Sequence, residues 1–390
     1  MTTNGIGSRI AAERKVAGLT QEAFANRISY SKGMVRAVEQ GREPASPGYI
    51  AKAALVLGVE PEHLMGTPYY DTLEEDGPLD GLADLRAILA EGAFVRQVEP
   101  ATLPELRARL TTIEIALRND KTRKALAELP GLIRQLYGAV HTGSESDQAY
   151  RMLCSAWIAA EGACTRLGHT ALTALILDRL DSTAAHVDDP LMTVRSLMKR
   201  ARLLMTHGST EVAMSLVEKG IGLAAGQSEA ERVLRGYGLL RGAIVAGRDR
   251  NLDLAQQFVT EARGLARPMQ CESDLYTTEF GPGNVEIHAC AVELEAGDPG
   301  KAAREGAALR LPTDISATRA GHHWQDNARA WILAGQPDKA LYSLTMARRI
   351  APQQTRLHPN VRESLFAIAS AERRKSDSTG AFARWLGVTL

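Results

Sequence analysis

The chain has 390 residues, of which 45% are hydrophobic, and its 46 Lys and Arg are balanced by 46 Asp and Glu. Zero net charge gives the molecule as a whole no electrostatic reason to seek a polyanion, so any basic surface has to be local. The length exceeds one compact core and predicts two domains or a repeat array.

The N-terminus MTTNGIGSRIAAERK lacks an apolar signal core, and no segment approaches ~18 uninterrupted apolar residues, so neither secretion nor a membrane span is expected. The reading is a cytoplasmic protein. Cys154, Cys164, Cys271 and Cys290 are too far apart for a C-x-x-C pair and are expected as reduced core thiols.

From Ile6 to Met65 apolar residues recur at helical spacing, interrupted at Gly18, Ser29-Tyr30, Gly41 to Pro47 and Gly58, which predicts five short helices. Thr20, Ser31 and Ser46 are placed as N-caps of the second, third and fourth, and Pro47 follows where its missing N–H costs nothing. Ala23, Phe24, Ile28, Val35 and Val38 face inward in this scheme. Two short helices joined by a tight turn make the helix-turn-helix unit.

The run L-T-Q-E-x-x-A, then S-x-x-x-V-x-x-x-E-x-G, then IAKAALVLGV, within Ile6 to Leu64, resembles the lambda-repressor-like, or XRE, helix-turn-helix family. The resemblance implies a third helix lying in the major groove, with the N-termini of helices two and three facing phosphates. It makes Gln21, Ser31 and Arg42 candidates for backbone contact and Lys32 and Arg36 candidates for the groove. It also matches Arg14 and Glu39 to a structural ion pair. Gly33 and Ala37 stand where family members often carry base-reading side chains, so direct readout falls to Lys32 and Arg36, with Ala37 able to touch a thymine methyl. Residues 1–66 carry eight Lys and Arg against six acids. That small excess implies moderate affinity per half-site, and so a homodimer on a palindromic operator in double-stranded DNA.

Residues 67–81, rich in Pro, Gly and acids, read as a linker between a DNA-binding domain of 1–66 and a helical region of 82–390. Helices are expected to resume at Leu79, and Thr102-Leu103-Pro104-Glu105 has the form of a capping box. Beyond Tyr150 the signal is periodic. Gly168, Gly208, Gly247, Gly297 and Gly335 each end one apolar segment and precede another, which predicts five helical hairpins. Trp324, Ala328, Trp331, Gly335, Ala340, Ala347 and Pro352 give the last the small-and-large alternation of a tetratricopeptide repeat. The expected fold is all-α: a five-helix lambda-repressor-like domain, then an α-solenoid of degenerate tetratricopeptide-like repeats, closed at its end by Asn360 to Lys375.

FGPGNVEIHACAVELEAGD, with ARAWILAGQPDKALYSLTMARRIAP and HPNVRE, resembles a group of actinobacterial XRE-family regulators that join such a domain to such repeats. The resemblance implies a transcriptional regulator with a sensing or docking domain.

The first helix of each hairpin lines the inner surface of such an array. Counting back six or thirteen residues from the marking glycines reaches Arg195, Arg202, Arg241, Asn284, His322 and Arg329. Guanidinium donors suit carboxylate or phosphate, so a peptide or an anionic small molecule is the expected guest, against solvated or Glu-paired arginines. His288 shares a face with Asn284, as His322 does with Asp326. A metal site from His288, His322, His323 and Asp326 is a weaker reading than capping and inter-helix hydrogen bonds; no metal or cofactor is expected. The glycines of FGPGN lack the spacing of a phosphate-binding loop, and no catalytic motif is recognised, so no enzyme is expected. The leading expectation is a DNA-binding regulator with a peptide, small-molecule or protein effector. The alternative is a protein-docking adaptor whose helix-turn-helix is vestigial.

Overall fold

The structure, a computed structural model, describes residues 5–67, 78–141, 146–371 and 377–388, and among these the chain is helical with no strand beyond one isolated bridge. The N-terminal five helices are α1 (Ile6–Val16), α2 (Gln21–Ile28), α3 (Lys32–Glu39), α4 (Pro47–Leu57) and α5 (Pro61–Met65). Thr20, Ser31 and Ser46 cap α2, α3 and α4, each hydroxyl accepting a backbone N–H three residues on at 3.1 Å. The turn between α2 and α3 places Ser29 in the left-handed region, at φ 59°. Ile6, Ile10, Phe24, Ala25, Ile28, Val35, Val38, Tyr49 and Leu64 form the core of this unit. Ala23, expected to face inward, is only half-buried, and Ala25 takes the interior place. The α1 and α3 backbones nearly touch: a Cβ on Gly7 would fall 1.9 Å from the Val38 carbonyl oxygen.

The larger region comprises α6 (Leu82–Glu91), α7 (Leu103–Arg118), α8 (Thr122–His141), α9 (Ser146–Arg166), α10 (Thr173–Ala184), α11 (Pro190–Thr206) and α12 (Thr210–Leu223). It continues with α13 (Glu229–Arg248), α14 (Leu252–Ala266), α15 (Pro282–Ala296), α16 (Pro299–Ala308), α17 (Ala317–Leu333) and α18 (Pro337–Ile350), then α19 (Pro352–Leu357), α20 (Pro359–Ala371) and α21 (Asp377–Leu386). Most of the expected linker, and part of the expected closing segment, lie outside the described residues. The capping box is present at the start of α7, where Glu105 accepts both the backbone N–H (3.0 Å) and the hydroxyl (2.8 Å) of Thr102.

The hairpins α9–α10, α11–α12, α13–α14, α15–α16 and α17–α18 pack one against the next. Gly168, Gly208 and Gly335 close the first, second and fifth turns with φ of 80°, 79° and 71°. Gly247 does not act as a turn. It stays helical and buried within α13, and Arg250 takes the left-handed conformation at φ 64°. Where α17 crosses α18, Ala328 and Ala340 are fully buried, which lets the two backbones approach.

The periodicity did not foretell that the array closes. Helix α7 packs on α17. Just beyond α7, the Asp120 carboxylate accepts the backbone N–H of Gln353 (2.6 Å) and Gln354 (3.0 Å) in the first turn of α19. Arg118 pairs with Glu279 at 3.0 Å and donates to the Asp314 carbonyl at 2.9 Å. The two ends of the array therefore meet, and the array becomes an annulus in the sense that its first helices enclose a common interior, the lumen. Cys154 and Cys164 are buried in its wall, while Cys271 is exposed and so is not the core thiol expected.

Candidate nucleic-acid interface and the lumen

Helix α3 is amphipathic. Val35, Ala37 and Val38 face the core, and Lys32 and Arg36 are exposed, as is Arg42 in the following turn. Ala37 is only 7% accessible, so its methyl cannot reach a thymine as the sequence reading allowed: it packs inward beside Val38. Ser31 uses its hydroxyl on the Met34 N–H, fixing the start of α3. Lys32 donates to Glu22 at 2.9 Å, both side chains being well exposed.

Behind this face, Glu39 accepts from Arg14 Nε at 2.5 Å, from a terminal nitrogen of Arg14 at 2.9 Å and from Gln21 Nε2 at 2.8 Å. A further Arg14 nitrogen donates to the Leu19 carbonyl at 2.5 Å. The hydrogen bond to Glu39 outweighs burial and raises the Arg14 pKa. Gln21 thus turns its amide nitrogen to Glu39, and one buried carboxylate locks α1, α2 and α3 together.

The lumen gathers charge from the first helices of the hairpins. Arg195 is 3% exposed and donates to the Tyr276 carbonyl (2.8 Å), the Thr277 carbonyl (3.1 Å) and the Tyr237 hydroxyl (2.8 Å). Arg241 donates to the same hydroxyl at 3.3 Å. Arg202 and Lys199 share the fully buried Glu161, and Arg329 pairs with Glu295 at 2.8 Å. Asn284, at the start of α15, donates to the Glu279 carbonyl. His288 donates from Nδ1 to the Asn284 carbonyl at 2.8 Å and accepts from Arg319 at Nε2 (3.3 Å). His322 and Asp326 lie 3.6 Å apart, one turn of α17. Burial lowers the pKa of His288 and His322, and brings His358 down to about 3, so these imidazoles are neutral and the arginines carry the charge.

Counting by glycine register missed Tyr237, Lys199, Arg319 and Glu161. Tyr237 stands one helical turn before Arg241, which is the only hint the sequence offers.

Residues 6–65 match the helix-turn-helix domain family. The N-terminal five helices are a helix-turn-helix domain. No curated protein matches the chain. Among solved structures it is similar to Bacillus thuringiensis PlcR in complex with the peptide PapR7 and DNA, at 11% identity and a TM-score of 0.38, over 87% of this chain and 98% of that one. So loose an overlap says nothing of this chain's ligands.

The helix-turn-helix domain sits on one rim of the annulus, made by the turns after α9, α11 and α13. Helix α4 packs on α11, the Thr170 hydroxyl bonds to Glu62, and the Arg250 guanidinium lies 5.3 Å from the centre of the Tyr30 ring. Lys32 and Arg36 lie apart from these contacts and face water. Among the described residues the grouping of metal-type donors is Glu60, Glu62 and His207 at this rim, not the histidines of α15 and α17; His323 spends its Nε2 on the Gly306 carbonyl at 2.9 Å. The FGPGN loop is held by packing. Glu272 accepts the N–H groups of Gly283 (2.7 Å) and Asn284 (3.3 Å), so the chain's own carboxylate occupies the N-terminus of α15.

Proposed function

We propose that the protein is a sequence-specific, DNA-binding transcriptional regulator in which residues 1–66 bind double-stranded DNA and residues 82–390 receive a signal. The observation that carries the reading is the orientation of α3. The annulus holds α4, α5 and the start of α1, and leaves Lys32, Arg36 and Arg42 in solvent. In this reading Lys32 and Arg36 enter the major groove, where a cationic donor pairs with guanine O6 and N7. Ser31, Gln21 and Arg42 face the backbone phosphates, at helix ends whose dipoles favour anions. The Arg14–Glu39 pair holds α3 at a fixed angle to α1. With eight cations against six acids in residues 1–66, one domain has little electrostatic grip. A homodimer on a palindromic site supplies the rest, with half-sites about one turn, ~34 Å, apart. The signal is a peptide or an anionic small molecule taken into the lumen.

Selection of bound fragments from a random duplex pool by the full-length chain tests the reading. Enrichment of a two-fold symmetric sequence, lost with Lys32→Ala and Arg36→Ala together, is expected. Binding that follows fragment length and salt alone, with no sequence enriched, refutes it and leaves an adaptor with a vestigial helix-turn-helix.

A further inference from the structure

We infer that the lumen contains a binding site for the phosphoryl group of a small molecule, centred on the Tyr237 hydroxyl and walled by Arg195, Arg241 and Arg319. The inference rests on the reading of the helical region as the receiver of a signal, and it names the chemistry of that signal.

Several cations of the lumen are paired with carboxylates, Arg202 and Lys199 with Glu161, Arg329 with Glu295 and Arg118 with Glu279, while Arg166 and Arg248 are in no ion pair among the described residues. Among the described residues Arg195, Arg241 and Arg319 form no direct ion pair with a carboxylate, and Glu279 and Asp326 act on Arg319 only from farther off. Their acceptors are the carbonyls of Tyr276 and Thr277, the Thr277 hydroxyl, the imidazole of His288 and the Tyr237 phenol, whose proton these cations weaken and which the oxygen regains when a bound anion takes over the charge. The Arg241 Nε is buried and has no acceptor. Both Arg195 and Arg241 also lie over the Tyr237 aromatic ring, 4.7 and 5.7 Å from its centre, so the phenol is flanked by cations. Glu279 is paired with Arg118 and accepts from Ser316, and Asp326 lies beside the neutral His322. Three cations around one phenol leave an excess of positive charge, which is costly where Arg195 is buried.

The arrangement distinguishes between oxyanions. A carboxylate is planar and is satisfied by one bidentate guanidinium. Here the donors come from three directions, α11 for Arg195, α13 for Arg241 and α17 for Arg319, which suits the tetrahedral oxygens and double charge of a phosphate monoester. The role of His288 follows from its bonds. Its Nδ1–H is given to the Asn284 carbonyl, so Nε2 carries a lone pair that receives and aims Arg319. His288 is a positioning residue and not itself a ligand.

The test uses the full-length chain without DNA, so that failure of the DNA reading and failure of this one are separable. Inorganic phosphate, glycerol phosphate, malonate and chloride are titrated at matched ionic strength, with binding read by calorimetry and thermal unfolding. The two phosphates should raise the unfolding temperature and give a saturable isotherm, and Arg241→Gln or Arg319→Gln should weaken them about ten-fold or more. The same two variants should lose little stability when no anion is added, since each removes one of three like charges and leaves the Tyr237 phenol to the other two. If Arg241→Gln does not fold, Arg241→Lys, which keeps the charge and loses the forked donors, should fold and bind more weakly. Arg200→Gln, which alters an arginine already paired with Asp178 and Asp181, should bind as the parent does. Phosphate acting no better than chloride, malonate binding as tightly as phosphate, or Arg200→Gln losing as much as Arg241→Gln would each overturn the assignment.

Discussion

Glu363, in the first turns of α20, accepts the backbone N–H of Ile6 at 2.8 Å, joining residues 357 apart in sequence. Helix α1 has no side-chain cap of its own, because Gly5 stands at its N-cap. A carboxylate from the far end of the chain therefore serves as its cap and meets the positive end of its dipole. Glu363→Ala should remove roughly 0.5–2 kcal/mol from the docked arrangement. Amide exchange at Ile6 and the rest of the first turn reads this directly. Unchanged protection there would mean that the contact does not hold the helix-turn-helix domain to the rim.

The Arg14–Glu39 pair is largely shielded from water, with side chains 9% and 6% exposed. Removing one partner strands the other, so Arg14→Met or Glu39→Gln alone should destabilise the helix-turn-helix domain by about 3–5 kcal/mol. The double variant should lose less than the sum. A thermal double-mutant cycle decides it, and additive losses would show that the two side chains are not coupled.

Lys32→Ala and Arg36→Ala should leave folding intact, since both side chains are exposed, and each should weaken operator binding by about 1–3 kcal/mol. Glu22→Ala should act in the opposite sense, because it frees the Lys32 ammonium and removes an anion beside the proposed DNA-binding surface. Fluorescence anisotropy at fixed salt gives all three. Equal affinities for parent and variants would place the groove elsewhere.

Burial raises the Tyr237 pKa, but Arg195, Arg241 and Lys199 outweigh it and bring the phenol down from 10.0 to about 6. A folded value below the unfolded one gives stability that is fully present above pH 10 and is lost as the pH falls through about 6. Lys199, which burial lowers from 10.5 to about 8, adds in the same direction above pH 8. Ultraviolet titration of the folded protein should show one phenolate appearing near pH 6, absent in Tyr237→Phe. A parent titration with no step below pH 9 contradicts the charge environment described for the lumen.

What the sequence disclosed was local. Caps at Thr20, Ser31 and Ser46 depend on residues three apart, and the turns at Gly168, Gly208 and Gly335 on one residue's freedom at positive φ. Gly247 misled because it serves packing: it lies buried against Glu295 and Val292 of α15, while Arg250 makes the turn. The lumen was half legible. Charged side chains at a fixed offset from a glycine stand out, whereas Tyr237 and Arg319 fall between register positions and are defined only by the helices facing them. Closure was not legible at all, since nothing near Asp120 in sequence announces that its acceptors will be filled by Gln353 and Gln354.

A strip of hairpins held only to its neighbours behaves as a spring, and a guest could alter its pitch along the whole length. Tied end to end by Asp120, the strip is a hoop, and a hoop does not uncoil. The hoop meets the helix-turn-helix domain at its rim. Tyr30 sits there, packed against Tyr49 and under Arg250, one residue ahead of the serine that begins α3. The turn after α13 therefore lies against the residue next to α3, and the path from the hoop to the helix-turn-helix domain is short and lateral.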